Sequence, residues 1–280
     1  MIDAIVQYFT HIPSSHRSAI LLGGLPIFLL LESGIPLFRK PYDKWSHTGI
    51  NLFFTVTTVL INFLMAVILY RSSEWVTAHH FGILQWLPPM PMWLFLIVGL
   101  LLLDLIGAYF VHWAEHKVRW MWLFHLVHHT DPHVDTTTAN RHHPGESVFR
   151  FVFTTLGVII AGAPIYIVFM YQSLSVALSQ FNHAYIRFPK QLDRLLSWVI
   201  VTPNMHRVHH HYALPYTDSN YGNIFSIWDR LFGTFSRLDD EKIVFGIDTH
   251  MENAEHSRIG NLLKIPFQPY RAPGGAKFEE

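Results

Sequence analysis

The alternation of long apolar runs with polar, histidine-rich segments is the pattern of a chain that crosses a membrane several times. Ile50 to Tyr70 is a run of 21 residues without a charge, and Met92 to Trp113 is a run of 22 with a single one, Asp104. About 20 apolar residues at 1.5 Å each cross a hydrocarbon layer of about 30 Å, so windows 50–70 and 92–113 predict spanning helices. A third window, 19–38, carries Glu32, Gly34 and Pro36 and predicts a span that kinks or re-enters. A fourth region, 145–187, is interrupted by Gly162, Ala163 and Pro164, which divide it into two helices. Pro144 suits a helix start and Pro189 a helix stop, so this region predicts a hairpin that enters the bilayer and returns. Such a hairpin places the histidine-rich stretches before and after it on one side. Segments 114–144 and 188–240 then predict a helical catalytic cap, and the end of the chain, from Pro266, a loose tail. The predicted fold class is an all-α integral membrane protein, a single membrane domain over 1–280 with about four transmembrane helices, the hairpin included, and a cytosolic cap.

Composition sharpens this picture. Half of the residues are apolar and only 14% are charged, where soluble domains carry about 25%. The 20 Lys and Arg balance the 20 Asp and Glu, which leaves no basic surplus for a phosphate backbone, so nucleic acid is not an expected partner. Cations are nevertheless uneven. Arg39, Lys40 and Lys44 sit in one loop, and Lys117, Arg119, Arg141, Arg150, Arg187, Lys190, Arg194 and Arg207 accompany the histidines, while 71–91 holds Arg71 alone. The positive-inside rule therefore turns the histidine face to the cytoplasm, at a bacterial inner membrane or the endoplasmic reticulum. The N-terminus has no basic start with a small-residue cleavage site. Trp45, Tyr70, Trp86, Trp93, Trp113, Trp120 and Trp122 predict interfacial belts.

Histidine carries the candidate chemistry. There are 20, thirteen of them from His112 to His211, and there is no cysteine, so any metal must bind nitrogen or oxygen. HWAEH puts His112 and His116 on one helical face at the end of a predicted span. HLVHH does the same for His125, His128 and His129, and HRVHH for His206, His209 and His210 about 80 residues later. Eight imidazoles exceed the needs of one ion, since zinc takes four ligands and a mononuclear iron site leaves positions open, so two metals are implied. An all-nitrogen set with no thiolate nearby to be oxidised fits iron handling dioxygen.

This set of boxes, HxxxH, HxxHH and HxxHH, resembles that of the fatty acid hydroxylase/sterol desaturase superfamily of membrane enzymes. RHHPGE at 141–146, FNHAYIRFP at 181–189, TPNMHRVHH at 202–210 and NYGNIFSIWDRLFGT at 220–234 are similar to further segments of that family. The resemblance covers about Leu100 to Thr234. It implies a di-iron centre, with zinc as a substituting metal, at the cytoplasmic mouth of a helical bundle that admits a lipid chain. It also implies His183 and His143 as additional ligands. On that resemblance O2 is the co-substrate, a sterol, fatty acyl or related lipid is hydroxylated or desaturated, and two electrons arrive from a separate reductase with ferredoxin or cytochrome b5. The chain itself shows no GxGxxG turn, no haem-attachment motif and no cluster cysteine. HPGE at 143–146 faintly resembles a cytochrome b5 haem loop but lacks the surrounding domain. A short chain without a fused domain favours a bacterial member.

Other readings stay open at this point. HWAEH also fits the HxxEH motif of inverted zinc proteases, with Glu115 as general base, so a zinc-dependent membrane hydrolase is the alternative; it leaves both HxxHH boxes without a purpose. A metal transporter needs ionisable groups within the spans, and Asp104 and Glu32 qualify. Asp104 reads equally as a functional carboxylate or a helix–helix hydrogen bond. Glu115 orients a ligand ring or faces the cytosol, and Glu146 ligates metal or stabilises a helix start. His133, His142 and His211 read as neighbours of the site or as surface, and His11, His16, His47, His79, His80, His250 and His256 as ordinary surface residues.

Overall fold

The computed structural model describes residues 1–38 and 42–275; Arg39, Lys40 and the final AKFEE lie outside them. Among the described residues the chain is helical, with isolated bridges such as Ile200 to Phe225 in place of strands. Four helices are long and apolar enough to cross a membrane, namely Ser14–Gly34, Lys44–Trp86, Met92–Lys117 and Pro144–Ala161. Their bounds differ from the apolar windows for identifiable reasons. The first ends at Gly34 rather than at residue 38 because Pro36 disfavours helix in the residue before it. The 50–70 window is the apolar middle of a continuous 35-residue helix, Lys44–Ala78, whose start is capped by Asp43 accepting from the Ser46 N–H. Within Met92–Lys117 lies a π-turn at Leu105–Phe110, which a continuous apolar run does not signal. That widened turn ends just before His112 and re-aims the last turns of the helix.

The hairpin break is made by backbone proximity. Gly162 closes Pro144–Ala161 at φ 67°, and Pro164 precedes Ile165–His183. A Cβ on Gly162 would lie 2.5 Å from the Phe81 carbonyl oxygen, and one on Gly82, at φ 103°, 2.4 Å from the Gly162 Cα. Only glycine allows these two loops to abut. Ser73 Oγ donates to the Ala163 carbonyl (2.8 Å) and Gln85 Nε2 to that of Gly162 (2.9 Å), which closes this end of the bundle. The histidines lie at the opposite end, where Met92–Lys117 finishes, Pro144–Ala161 begins and Ile165–His183 finishes.

The outer faces are apolar. Phe63, Leu64 and Val67 are 75%, 68% and 67% exposed, and Val148, Val152, Leu156 and Ile160 form an exposed stripe at every fourth residue of Pro144–Ala161. A patch of this extent suits a lipid-facing surface. Trp75, Trp86 and Trp93 are exposed toward the loop end, and Trp45, Trp113 and Trp120 toward the histidine end. Trp122 departs from the predicted belt: it is buried, its ring 4.9 Å from that of His116 and 5.4 Å from that of His129.

Carboxylates on the helices fasten the cap. Glu32 Oε1 accepts from the Thr136 N–H (2.8 Å) and the Tyr185 N–H (3.0 Å). Asp104 accepts from the Ile224 N–H (3.2 Å), the Phe225 N–H (3.1 Å) and the Trp228 indole (3.0 Å). It is therefore an anchor for a cap loop, neither a helix–helix bond nor a free functional carboxylate. The C-terminal stretch is also no loose tail within the described residues. Ile247, Leu262 and Ile265 pack with Phe54, Trp122 and Leu126, Arg119 lies over the Tyr270 ring at 4.3 Å, and the Gly274 N–H donates to Asp248 (2.8 Å).

Asp104→Ala strands three buried donors, so it should destabilise the protein by about 3 kcal/mol or more, whereas Asp104→Asn keeps an acceptor and should lose less. Thermal unfolding in detergent checks this, and an Asn variant no more stable than the Ala variant would refute the anchoring role.

Candidate metal centre

Nine imidazoles converge at the histidine end, in two groups. His112, His116, His125, His129 and His209 form one, and His128, His183, His206 and His210 the other; within each, one ring nitrogen per residue lies within 4.8 Å of the rest. The division follows from helical geometry. In HLVHH the i, i+4 pair His125 and His129 shares a face and joins the first group, while His128 turns to the second. In HRVHH the allotment is reversed, with His206 and His210 in the second group and His209 in the first. Each HxxHH box therefore grips both groups.

Second-layer hydrogen bonds decide which nitrogen faces inward. The Nδ1–H of His112 donates to the Tyr221 carbonyl (2.8 Å), that of His209 to Ser219 (2.7 Å), that of His183 to Ser179 (2.7 Å), and that of His125 to Glu146 Oε1 (2.8 Å). With the proton on Nδ1, the lone pair sits on Nε2. The Nε2 atoms of His112, His116, His125, His129 and His209 are buried without a hydrogen-bond partner among the described residues. In the second group, Nε2 of His206, His128 and His210 crowd that of His183 at 3.0, 3.3 and 3.3 Å. Because His183 carries its proton on Nδ1, its Nε2 presents a lone pair to the three Nε2 atoms that face it, a convergence that a cation between them would satisfy. The donor set thus fits two metal ions, one per group. Burial first, then the neighbouring imidazoles, holds His125, His128, His129, His206, His209 and His210 well below the ordinary imidazole range, so they stay neutral and able to ligate. Five and four nitrogens leave open positions on ions that accept six.

Charged residues brace this set from behind. Arg150 Nε donates to Glu115 Oε1 (2.7 Å) and to Glu146 Oε1 (3.1 Å), and its Nη2 takes the other Glu115 oxygen. With both oxygens held by Arg150, Glu115 is not the free base that the hydrolase reading requires. Glu146 is more than a helix-start charge, since its Oε1 receives His125 and also the Nδ1 of His142 (2.7 Å), while its Oε2 is buried without a hydrogen-bond partner among the described residues. Asp218 pairs with Lys117, lies 3.4 Å from His116 Nδ1 and accepts from the Tyr221 hydroxyl (3.1 Å). Asp229 accepts from the N–H groups of Tyr221 (2.7 Å) and Gly222 (2.9 Å), and so fixes the carbonyl that receives His112. Neither aspartate is signalled by spacing.

Of the sequence-predicted residues, His143 stands apart. Its Nδ1 accepts from the Gly145 N–H (3.0 Å) and its Nε2 faces the Leu263 carbonyl (3.3 Å), so it caps a helix outside both groups. His142 stacks on His128, ring centres 4.7 Å apart. His47, expected on the surface, is buried with its Nε2 2.9 Å from Asp131, a residue too distant in sequence to suggest the pairing. His250 and His211 are buried as well, and the latter accepts from the Val244 N–H (3.2 Å). His256 is half-buried, while His11, His16, His79 and His80 are exposed as expected.

A chamber of about 620 Å³ opens from this centre into the bundle. His112, His128, His183 and His206 form its mouth, and Arg17 and Phe169 mark its far end. Phe169 lies 14 residues before His183 on one helix, about 21 Å along its axis. The wall is partly polar, with Gln172, Ser175 and Asn223 among its residues.

The fatty acid hydroxylase family profile matches residues 96–234. Ornithine lipid hydroxylase of Rhizobium tropici is 26% identical over 226 residues, 75% of this chain and 66% of that protein. Alkylglycerol monooxygenase of Xenopus tropicalis is 33% identical over 175 residues, 61% of this chain and 35% of that protein. Very-long-chain aldehyde decarbonylase of Oryza sativa subsp. indica is 25% identical over 227 residues, 78% and 81% of the two chains. This chain thus spans just under two thirds of the first relative and about a third of the second. No solved structure matches it significantly. The matched stretch contains all nine clustered histidines and the loops that orient them, and the chain belongs to the fatty acid hydroxylase superfamily.

Proposed function

We propose that the chain is a membrane-bound di-iron oxygenase that hydroxylates an unactivated C–H bond of a lipid. The observation that carries this reading is the pair of interlocked imidazole groups opening on a chamber inside the bundle. The relatives add weight, since two of them are named as a lipid hydroxylase and a monooxygenase. Overall, one C–H bond, O2, two electrons and two protons would give an alcohol and water, and a second hydrogen removal would give an alkene instead. Bound iron supplies the reduction of dioxygen to an oxidant strong enough for that bond.

The residues of the chain supply the rest. His112, His116, His125, His129 and His209 would hold one ion and His128, His183, His206 and His210 the other. The Tyr221, Ser219 and Ser179 carbonyls keep three of these rings aimed inward. The chamber would hold the substrate chain against the mouth. Gln172, Ser175 and Asn223 along it support an amphiphilic lipid over a bare hydrocarbon, in keeping with the ornithine lipid and alkylglycerol of the relatives' names. A separate reductase with ferredoxin or cytochrome b5 would deliver the electrons. Exposed Arg119, Arg187, Lys190 and Arg194 support a cytoplasmic histidine end. Arg141 and Arg207, both buried, do not count toward it.

Protein purified from iron-supplemented cells should carry two irons per chain by elemental analysis, and His209→Ala and His206→Ala should each lower that content. A single zinc retained in both variants would reject the di-iron assignment. Chelation should lower the melting temperature, because ions held only by the folded chain stabilise it.

Lipids extracted after incubation with isotopically labelled dioxygen and a reductase system should contain labelled hydroxyl groups. Glu146→Gln, which keeps the size of the His125 partner but not its charge, should slow that reaction by about 10- to 100-fold. Label absent from every lipid with the metal-loaded enzyme would reject oxygenation.

A further inference from the structure

The cap reaches down beside the apolar part of the bundle. Trp93 and Trp113 lie 20 residues apart on one helical run, about 30 Å, which is the thickness of a hydrocarbon layer, and Asp104 lies between them. The cap loop that Asp104 anchors, Ile224 to Trp228, is therefore level with the middle of that apolar run. Phe232 follows it, stacked on Tyr109 at 5.2 Å and lying 5.6 Å from the exposed Phe110 of the same span. A second cap segment is joined alongside, because the Arg230 guanidinium donates to the Ser197 carbonyl (2.6 Å) and lies 4.4 Å over the Trp198 ring.

What these segments turn outward is apolar. Leu195, Trp198, Val199 and Leu231 are 68%, 65%, 60% and 67% exposed, as much as the lipid-facing Leu64 and Val67. The short helix Lys190–Leu196 is two-sided, with Leu192 and Leu195 on the apolar side and Lys190 and Arg194 exposed beside them. Arg187 is exposed just upstream. Apolar side chains continuous with a lipid-facing span and bordered by cations have the layout of a segment seated at the boundary of acyl chains and anionic headgroups.

We propose that 192–199 and 227–232 form a wedge embedded in the leaflet at the histidine end, with its apolar side chains among acyl chains and Arg187, Lys190 and Arg194 at lipid phosphates. The occupant of this face is the bilayer's own lipid, not a soluble partner or a second copy of the chain. The wedge is independent of the reaction catalysed and needs only that the chain sits in a membrane.

The natural absence of cysteine makes a clean test. Leu195→Cys, Leu231→Cys, the span control Leu64→Cys and the water-facing control Glu241→Cys are each reconstituted in lipid nanodiscs, where both faces are accessible, and treated with a charged maleimide. The wedge predicts that Leu195→Cys and Leu231→Cys react at least five-fold more slowly than Glu241→Cys and equally after denaturation in dodecyl sulfate. Any smaller difference overturns it. If Leu64→Cys also reacts freely, the membrane reading itself fails. Should either wedge variant misfold, brominated acyl chains provide a second readout: they should quench wild-type tryptophan emission more than that of Trp198→Phe, and equal quenching overturns the wedge.

Discussion

Nine imidazoles face one another in a buried space, and the rest of the chain is organised around holding them there. Each is costly to bury without a partner, and no thiolate or carboxylate enters the two groups to neutralise a metal's charge. Four of them, His112, His209, His183 and His125, are positioned from behind, by carbonyls at Tyr221, Ser219 and Ser179 and by Glu146. The carbonyls are themselves secured by buried carboxylates. Asp104 holds the loop from Ile224 to Trp228, Asp229 at its end holds the Tyr221 amide, and the Tyr221 carbonyl receives His112, eight residues beyond Asp104 on the same helix. A membrane helix thus orients its own histidine through the cap, and cap and membrane parts cannot be repacked independently.

The boxes contribute more than ligands. Arg207, inside HRVHH, is buried, donates to the Ile186 carbonyl (2.7 Å) and pairs with Asp240 (2.9 Å), which ties the third box to the chain just beyond His183. Arg141, beside His142 and His143, is equally buried and reaches the Val127 carbonyl (3.0 Å), Asn51 (3.0 Å) and the His256 carbonyl (2.8 Å). It joins the second box to the projecting start of Lys44–Ala78 and to the C-terminal stretch. His47, Asn51 and Asp131 complete this polar joint, with Asn51 donating to Thr137 (2.8 Å) and His47 lying 2.9 Å from Asp131. A helix longer than a bilayer has a purpose here, because its extra turns carry those groups into the cap.

This division of labour explains what was legible in the residues. Box spacing is a local, helical property, so the shared faces of His125 with His129 and of His206 with His210 follow from i, i+4 geometry. The hairpin, too, is local, written in Gly162 and Pro164. How the boxes interlock is not local. Whether His128 sides with His125 or with His206 depends on how two helices far apart in sequence meet, and no spacing within either box records it. The same holds for His47, whose partner is 84 residues away, and for Asp229, which acts on His112 through a backbone carbonyl. The π-turn at Leu105–Phe110 was hidden for another reason, since an extra residue in a turn leaves the apolar composition of a span unchanged.

Ile165–His183 shows why apolarity alone understates the membrane part. It packs against Ser14–Gly34 and Met92–Lys117, with Ile167, Val168, Met170 and Tyr171 in the core, yet falls outside the helices that hydropathy marks as able to cross. Its polar residues are turned inward: Gln172, Ser175, Ser179 and Gln180 line the chamber that leads to His183. Ser173 is satisfied within the helix by the Phe169 carbonyl (2.8 Å), and Ser175 from outside by Asn223 (2.7 Å). Shielded from lipid by its neighbours, this arm can carry hydrogen-bonding groups at a depth where an outer helix could not. Its low hydropathy therefore marks a helix that faces a cavity, and the polar residues that lower its hydropathy are the ones that line the chamber leading to the histidines.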